Sequence, residues 1–129
     1  MFKLTISRKE WWRGKPNSKL LLSNGQRCCI GIYGKAIGVP DDVMSGRGAA
    51  MASEALQSKF IARGGEWLMT LKPGPYYDSS DTAWALMRVN DKGGDEYSQN
   101  TDDGISETER ETIVAALFAK HDVEVTFTD

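Results

Sequence analysis

The sequence predicts an α+β fold in a single domain, and three observations carry that prediction. Residues at both ends alternate apolar and polar with the period of two that a half-buried strand imposes. Between them lie segments with the 3.6-residue apolar spacing of amphipathic helices. Near the front, Leu20–Cys28 is centred on Asn24-Gly25, a dipeptide that favours a two-residue hairpin turn. Terminal strands with helices between them place the end strands and the hairpin in one antiparallel or mixed sheet, packed by three to four helices. At 129 residues the chain reads as one domain, 1–129, large enough for a core without metal or disulfide staples.

In the first strand Phe2, Leu4 and Ile6 form the apolar side. Ser7 and Glu10 have capping-box spacing, so a helical turn through Trp12 is expected. Leu20–Ser23 and Gln26–Cys28 are the hairpin arms. From Cys28 the period becomes helical, with Cys29, Ile32, Tyr33, Ala36 and Ile37 on one buried stripe. Gly31, Gly34 and Gly38 lie on another face. Each interior glycine costs about 1 kcal/mol of helix stability against alanine. Something therefore approaches that face closely: a neighbouring helix, a second protomer or a ligand. Gly38 is placed as the cap, and Pro40 bars continuation.

Pro40–Met44 reads as a short helical turn, Ala49–Arg63 as a helix closed by Gly64-Gly65, and Glu66–Leu71 as a strand. A loop over 72–77 leads to a helix carrying Trp84, Ala85, Met87 and Arg88 that ends before Asn90-Asp91. Residues 91–104 are polar and acidic, a loop expected to be mobile. Ser106-Glu-Thr-Glu109 is a second capping box. It opens a helix to Lys120 with Ile113, Val114, Leu117 and Phe118 inward. Val123, Val125 and Phe127 alternate in a final strand.

The net charge of −2 hides a division. Residues 1–63 hold 11 Lys/Arg against 4 Asp/Glu, and residues 64–129 hold 5 against 14. Either the halves neutralise each other within the fold, or they leave a basic face for an anionic ligand or a self-complementary homo-oligomer. With a pI near 5.4 and no dense basic stripe, duplex nucleic acid is not the expected partner. No apolar run is long enough for a membrane span and no secretory signal is seen, so the cytoplasm is the expected compartment. The adjacent Cys28 and Cys29 are poorly placed to bridge each other and read as small buried hydrophobes in a reducing environment.

No catalytic constellation emerges. The one histidine, His121, falls at the end of the last helix, where it complements the helix dipole. Two adjacent cysteines and one distant histidine do not make a zinc site, and no cofactor is expected. A calcium loop with Gly104 at the sixth position would put Arg110 rather than glutamate at the twelfth. Gly46-Arg-Gly48 lacks the strand and spacing of a dinucleotide fingerprint, although it sets Arg47 near the start of a helix, where backbone N–H groups can hold phosphate. Glu107, Glu109 and Glu111 suit the first turn of the last helix. Trp11-Trp12-Arg13-Gly-Lys15 sets two indoles beside two cations, a pattern that serves either surface packing or a clamp on an anionic aromatic ligand.

Three stretches also carry a resemblance. They are Trp12-Arg-Gly followed by the 20–31 run through Cys28-Cys29-Ile30-Gly31, then Leu86–Asp91 with its Asn-Asp pair, then 105–111 leading to 123–127. This order resembles small phage and prophage proteins with a Cys-Cys-Leu-Gly core, an Asn-Asp motif and a capped C-terminal helix. Here Ile30 stands where leucine is usual. Broadly similar small phage proteins include the anti-Thoeris sponges, which sequester a cyclic ADP-ribose isomer. The resemblance implies a non-enzymatic counter-defence protein of the host cytoplasm, a homo-oligomer with ligand pockets between protomers. It implies aromatic groups stacking on adenine and arginines on the pyrophosphate, roles open to Trp12, Arg13, Arg47, Arg88, Asn90 and Arg110. The alternative is a protein-interaction inhibitor of a host defence enzyme that acts through the acidic C-terminal half. An enzyme is the least favoured of the three readings.

Overall fold

The alternating ends pair with each other. In a computed structural model, β1 (Phe2–Ser7) lies parallel to β4 (Val123–Thr128) in the register Phe2↔Val123 to Ser7↔Thr128. The structure describes residues 1–15, 17–48, 53–71, 77–91 and 105–129. One face of the pair carries Leu4, Ile6 and Val123 into the core, and the other carries Lys3, Thr5, Glu124 and Thr126 to the surface.

Between the end strands the helices are α1 (Cys29–Ala36), α2 (Asp41–Met44), α3 (Glu54–Ile61), α4 (Asp81–Asp91) and α5 (Glu107–Ala119). Met69–Leu71 (β2) and Tyr77–Ser79 (β3) form a separate antiparallel pair. The class is α+β, as the sequence predicts, but the sheet differs. Among the described residues there are two pairs of strands rather than one antiparallel or mixed sheet, and the terminal pair is parallel.

The 20–28 segment is not a hairpin of that sheet. Gly25 N–H donates to Leu22 C=O and Leu22 N–H to Gln26 C=O, while positive φ occurs at Gly25 and not at Asn24. This is the geometry of a three-residue loop rather than the two-residue turn. Its arms are drawn apart by other partners. Leu21 bridges Ser45 and Arg27 bridges Trp11. Likewise Ser7 makes no capping box. Its hydroxyl donates to the Asp129 carbonyl and Glu10 pairs with Lys35, so the chain makes a single turn and reaches Trp11 extended.

Helix α1 is buried all round from Cys29 to Gly34 rather than along one stripe, and Ala36 is exposed. The glycines explain how. A Cβ on Gly31 would stand 2.0 Å from the carbonyl oxygen of Leu20, and one on Gly34 2.7 Å from Phe60 Cζ and 2.9 Å from Met44 Sδ. The close approach is thus the chain's own backbone at Leu20 for Gly31 and the side chains of α2 and α3 for Gly34. At the far end Gly38 has φ +95, its N–H bonded to Lys35 C=O and the Val39 N–H to Gly34 C=O. That pair of bonds is a Schellman motif, one position beyond the cap itself at Ile37.

Other boundaries move for local reasons. Helix α3 begins at Glu54 because the Ser53 hydroxyl accepts the Leu56 N–H, and the expected start at Ala49 lies outside the described residues. Glu66–Leu68 is a 3-10 turn, which shortens the expected strand to Met69–Leu71. Helix α4 runs through Asn90 and Asp91 instead of ending before them. The Ser106/Glu109 capping box forms as the spacing predicts. In α5 the buried stripe is Arg110, Val114 and Phe118, which turns Ile113 onto the flank at 40% exposure instead of inward. The acidic loop, apart from Asp91, lies outside the described residues.

Gly31→Ala tests the tightest of these contacts. Its neighbour is backbone, which cannot rotate away, so the cost should reach about 3 kcal/mol, the upper range of overpacking. Gly34→Ala, which meets side chains, should cost less; urea midpoints of both variants measure the difference.

Candidate functional site

Four of the six residues that the sequence singles out, Trp12, Arg13, Asn90 and Arg110, meet where the segment Trp11–Gly14 crosses the end of α4 and the start of α5. Asn90 is the hub. It is fully buried, and its side-chain oxygen accepts the Trp11 indole N–H at 2.6 Å and the Cys29 N–H at 3.1 Å. Its amide nitrogen donates to Trp12 C=O at 2.9 Å and to Asp91 Oδ1 at 3.0 Å, and its backbone carbonyl accepts the Gly14 N–H at 2.7 Å. The Cys29 N–H is one of the orphan donors at the N-terminus of α1, so Asn90 also caps that helix. Cys28 caps it too, its sulfur accepting the Gly31 N–H.

Arg110 closes the other side. It is 2% exposed, and Nη1 donates to the carbonyls of Val89 and Asn90, two acceptors that the end of α4 leaves open. Nε and Nη2 face Glu107. Arg13 shares that carboxylate at 2.9 Å, stands 3.7 Å from Glu111, and lies 4.8 Å over the Trp11 ring. Arg8 grips Glu111 with two hydrogen bonds of 2.7 and 2.8 Å. The basic first half and the acidic second half therefore neutralise each other here.

The structure thus brings Trp12, Arg13, Asn90 and Arg110 into one seam. Trp12 carries Lys15 4.9 Å over its ring. Arg47 and Arg88 are apart from it and exposed: Arg47 follows α2, its carbonyl accepting the Leu20 N–H, and Arg88 lies on the outer face of α4.

Sequence reasoning missed Arg27. It is 3% exposed, with Nη2 on Asp41 at 2.8 Å, while its buried Nε and Nη1 have no hydrogen-bond partner. The Trp12 N–H donates to Arg27 C=O at 2.8 Å, so this guanidinium is rooted one residue from the seam. The available signal was an arginine immediately before a cysteine pair that enters the core.

Burial pushes the Cys28 thiol up to about 11 and Cys29 well above the usual cysteine range, so neither is a poised nucleophile at neutral pH. His121 stacks on Trp67 with centroids 4.4 Å apart, and its Nε2 lies 3.0 Å from Thr82 Oγ1. Among the described residues no group of three His, Cys, Asp or Glu side chains could hold a metal. Burial raises the half-buried Asp91 carboxyl, against the hydrogen bonds from Asn90 and Ser18 that lower it. The hydrogen bond from Arg8 leads in holding Glu111 below the usual carboxylate value.

Compared with known proteins, the chain matches no family model, no curated protein and no solved structure.

Asn90→Ala leaves two buried donors, the Trp11 indole N–H and the Cys29 N–H, without an acceptor. At about 1–3 kcal/mol for each unpaired group, the loss should be about 2–6 kcal/mol in chemical denaturation. The Glu111 carboxyl, being lower in the folded state, adds stability that is present above its unfolded value of 4.5 and lost as pH falls through the folded one. Asp91, raised in the folded state, has the opposite sign. The stability gap between wild type and Glu111→Gln should therefore narrow on acidification below about pH 4.5, measured by thermal unfolding across pH.

Proposed function

We propose that this chain is a binding protein rather than an enzyme, and that it sequesters a small anionic, nucleotide-like ligand. Such sequestration in a host cytoplasm is the role implied by the resemblance to phage counter-defence proteins. Arg27 carries the reading. A buried guanidinium ordinarily has its donors matched, because each unpaired buried N–H costs about 1–3 kcal/mol. Arg27 keeps Nε and Nη1 unspent, and its one carboxylate partner, Asp41, has a side chain that is 63% exposed. A phosphate entering beside Asp41 would accept from one of those donors in a charge-assisted hydrogen bond, Nε and Nη1 lying on different edges of the guanidinium.

In this proposal the aromatic group of the site is Trp12, a backbone neighbour of Arg27 whose ring carries Lys15 over it. Arg47, beyond the other end of α2, is the next cation for a second phosphate. Asn90 and Arg110 support the site from behind, since their polar atoms are engaged with the protein itself. Arg88 takes no part. The raised thiols favour binding over catalysis. For the competing reading, inhibition through an acidic surface, Glu107 and Glu111 are engaged by Arg8, Arg13 and Arg110, and the acids of 92–104 lie outside the described residues.

Calorimetric titration with ADP-ribose, cyclic AMP and a cyclic dinucleotide tests the proposal. Saturable binding of at least one is expected, weakened at least about tenfold in Arg27→Met. That variant should fold as stably as wild type, since replacing an incompletely paired buried charge with an apolar side chain is neutral or stabilising. Failure of all three ligands to bind, or undiminished binding by Arg27→Met, would sink the idea.

A further inference from the structure

We infer that the outer edge of β4 is a homodimer interface, on which a second copy of the chain pairs antiparallel about Val125. This inference is independent of the ligand. In the parallel pair the Phe2 N–H donates to Asp122 C=O and the Arg8 N–H to Thr128 C=O, so the even-numbered residues of β4 face β1. The N–H and C=O of Val123, Val125 and Phe127 therefore point away from β1, and among the described residues no backbone bond occupies them. The strand is six residues long, without proline or lysine along it. Its one edge-blunting feature is the charge of Glu124 on the outer face.

Burial tells which edge is unfinished. On the rung Leu4↔Val125 the β1 member is 1% exposed and the β4 member only half-buried. On the rung Ile6↔Phe127 the same holds, with Ile6 at 0%. On these two rungs the core runs out beneath β4, whereas on the third, Phe2↔Val123, it is Phe2 that is 37% exposed and Val123 that is 2%. A strand added beside β4 about Val125 covers the apolar surface of Val125 and Phe127. A two-stranded pair is moreover marginal by itself, and parallel pairs are ordinarily covered on both faces.

The occupant follows from the sequence of β4. A two-fold axis at Val125 sets Val125 against Val125 of the second copy as a hydrogen-bonded pair. It sets Val123 against Phe127 on the core face and Glu124 against Thr126 on the outer face. No like charges meet. An axis at Glu124 would oppose two carboxylates, and pairing β4 with β1 of another copy would not close and would run on as a filament. The isologous arrangement gives a closed four-stranded sheet ordered β1-β4-β4-β1.

The measurements are native mass spectrometry and residue-resolved amide hydrogen exchange. The expected mass is twice 14.3 kDa at micromolar protein. In the wild type the outward amides of Val125 and Phe127 should be protected as well as the inward ones of Glu124 and Thr126. Val125→Pro removes only an outward N–H and should raise the dimer dissociation constant at least about tenfold. Thr5→Pro, the matching change on the β1 edge, should leave the mass unchanged. A monomeric mass throughout, rapid exchange at Val125 and Phe127, or a dimer lost in Thr5→Pro but kept in a folded Val125→Pro would each overturn the inference.

Discussion

The side-chain amide of Asn90 is the constraint on which the remainder of the structure depends. Three parts of the chain meet on it: the indole and carbonyl of the 11–12 segment, the first turn of α1 and the end of α4; the start of α5 joins them through Arg110, which donates to the Asn90 backbone carbonyl. Each of these parts brings a backbone or side-chain group that cannot reach water and must find a partner inside. One carboxamide answers several of them because it offers an acceptor and a donor back to back. A buried aspartate would offer no donor to Trp12 C=O and would bring a charge into the interior.

Around that joint the electrostatics are local. Arg8, Arg13 and Arg110 converge on Glu107 and Glu111, which draws the two oppositely charged halves of the chain together. Most of these groups are partly exposed, and pairs of that kind contribute about 0–1 kcal/mol. Their effect is to orient α5 against the N-terminal segment. The Arg110 contact to the end of α4 is the buried one, and it shares its task with Gly14, where a Cβ would come within 3.0 Å of the Arg110 guanidinium.

Much of the fold was legible because period and capping chemistry are local signals. The strands at both ends, the α5 capping box and the burial of Cys29 followed from alternation, Ser-x-x-Glu spacing and helical phase. The failures came where tertiary partners outbid a local pattern. Asn24-Gly25 turns the chain, yet its arms bond to Ser45 and Trp11 instead of to each other over their length. Ser7 caps nothing, because its hydroxyl is held by the far end of the chain. At the candidate site Asn90 and Arg110 were suggested as ligand groups only by the resemblance, and nothing local in the sequence tells a polar side chain that faces a ligand from one that, as here, is engaged with buried carbonyls. Arg27 was passed over because only the fold shows that it is sealed from solvent with donors unspent.

The ligand-binding account rests on that guanidinium. Its most direct measurement is the NMR signal of the Arg27 Nε–H, followed while ADP-ribose is added. The account predicts a resolved, slowly exchanging resonance in the free protein, since Nε is buried, and a downfield shift as a phosphate oxygen accepts from it. A resonance that exchanges rapidly with water, or one that is unmoved at saturating ligand, would contradict it.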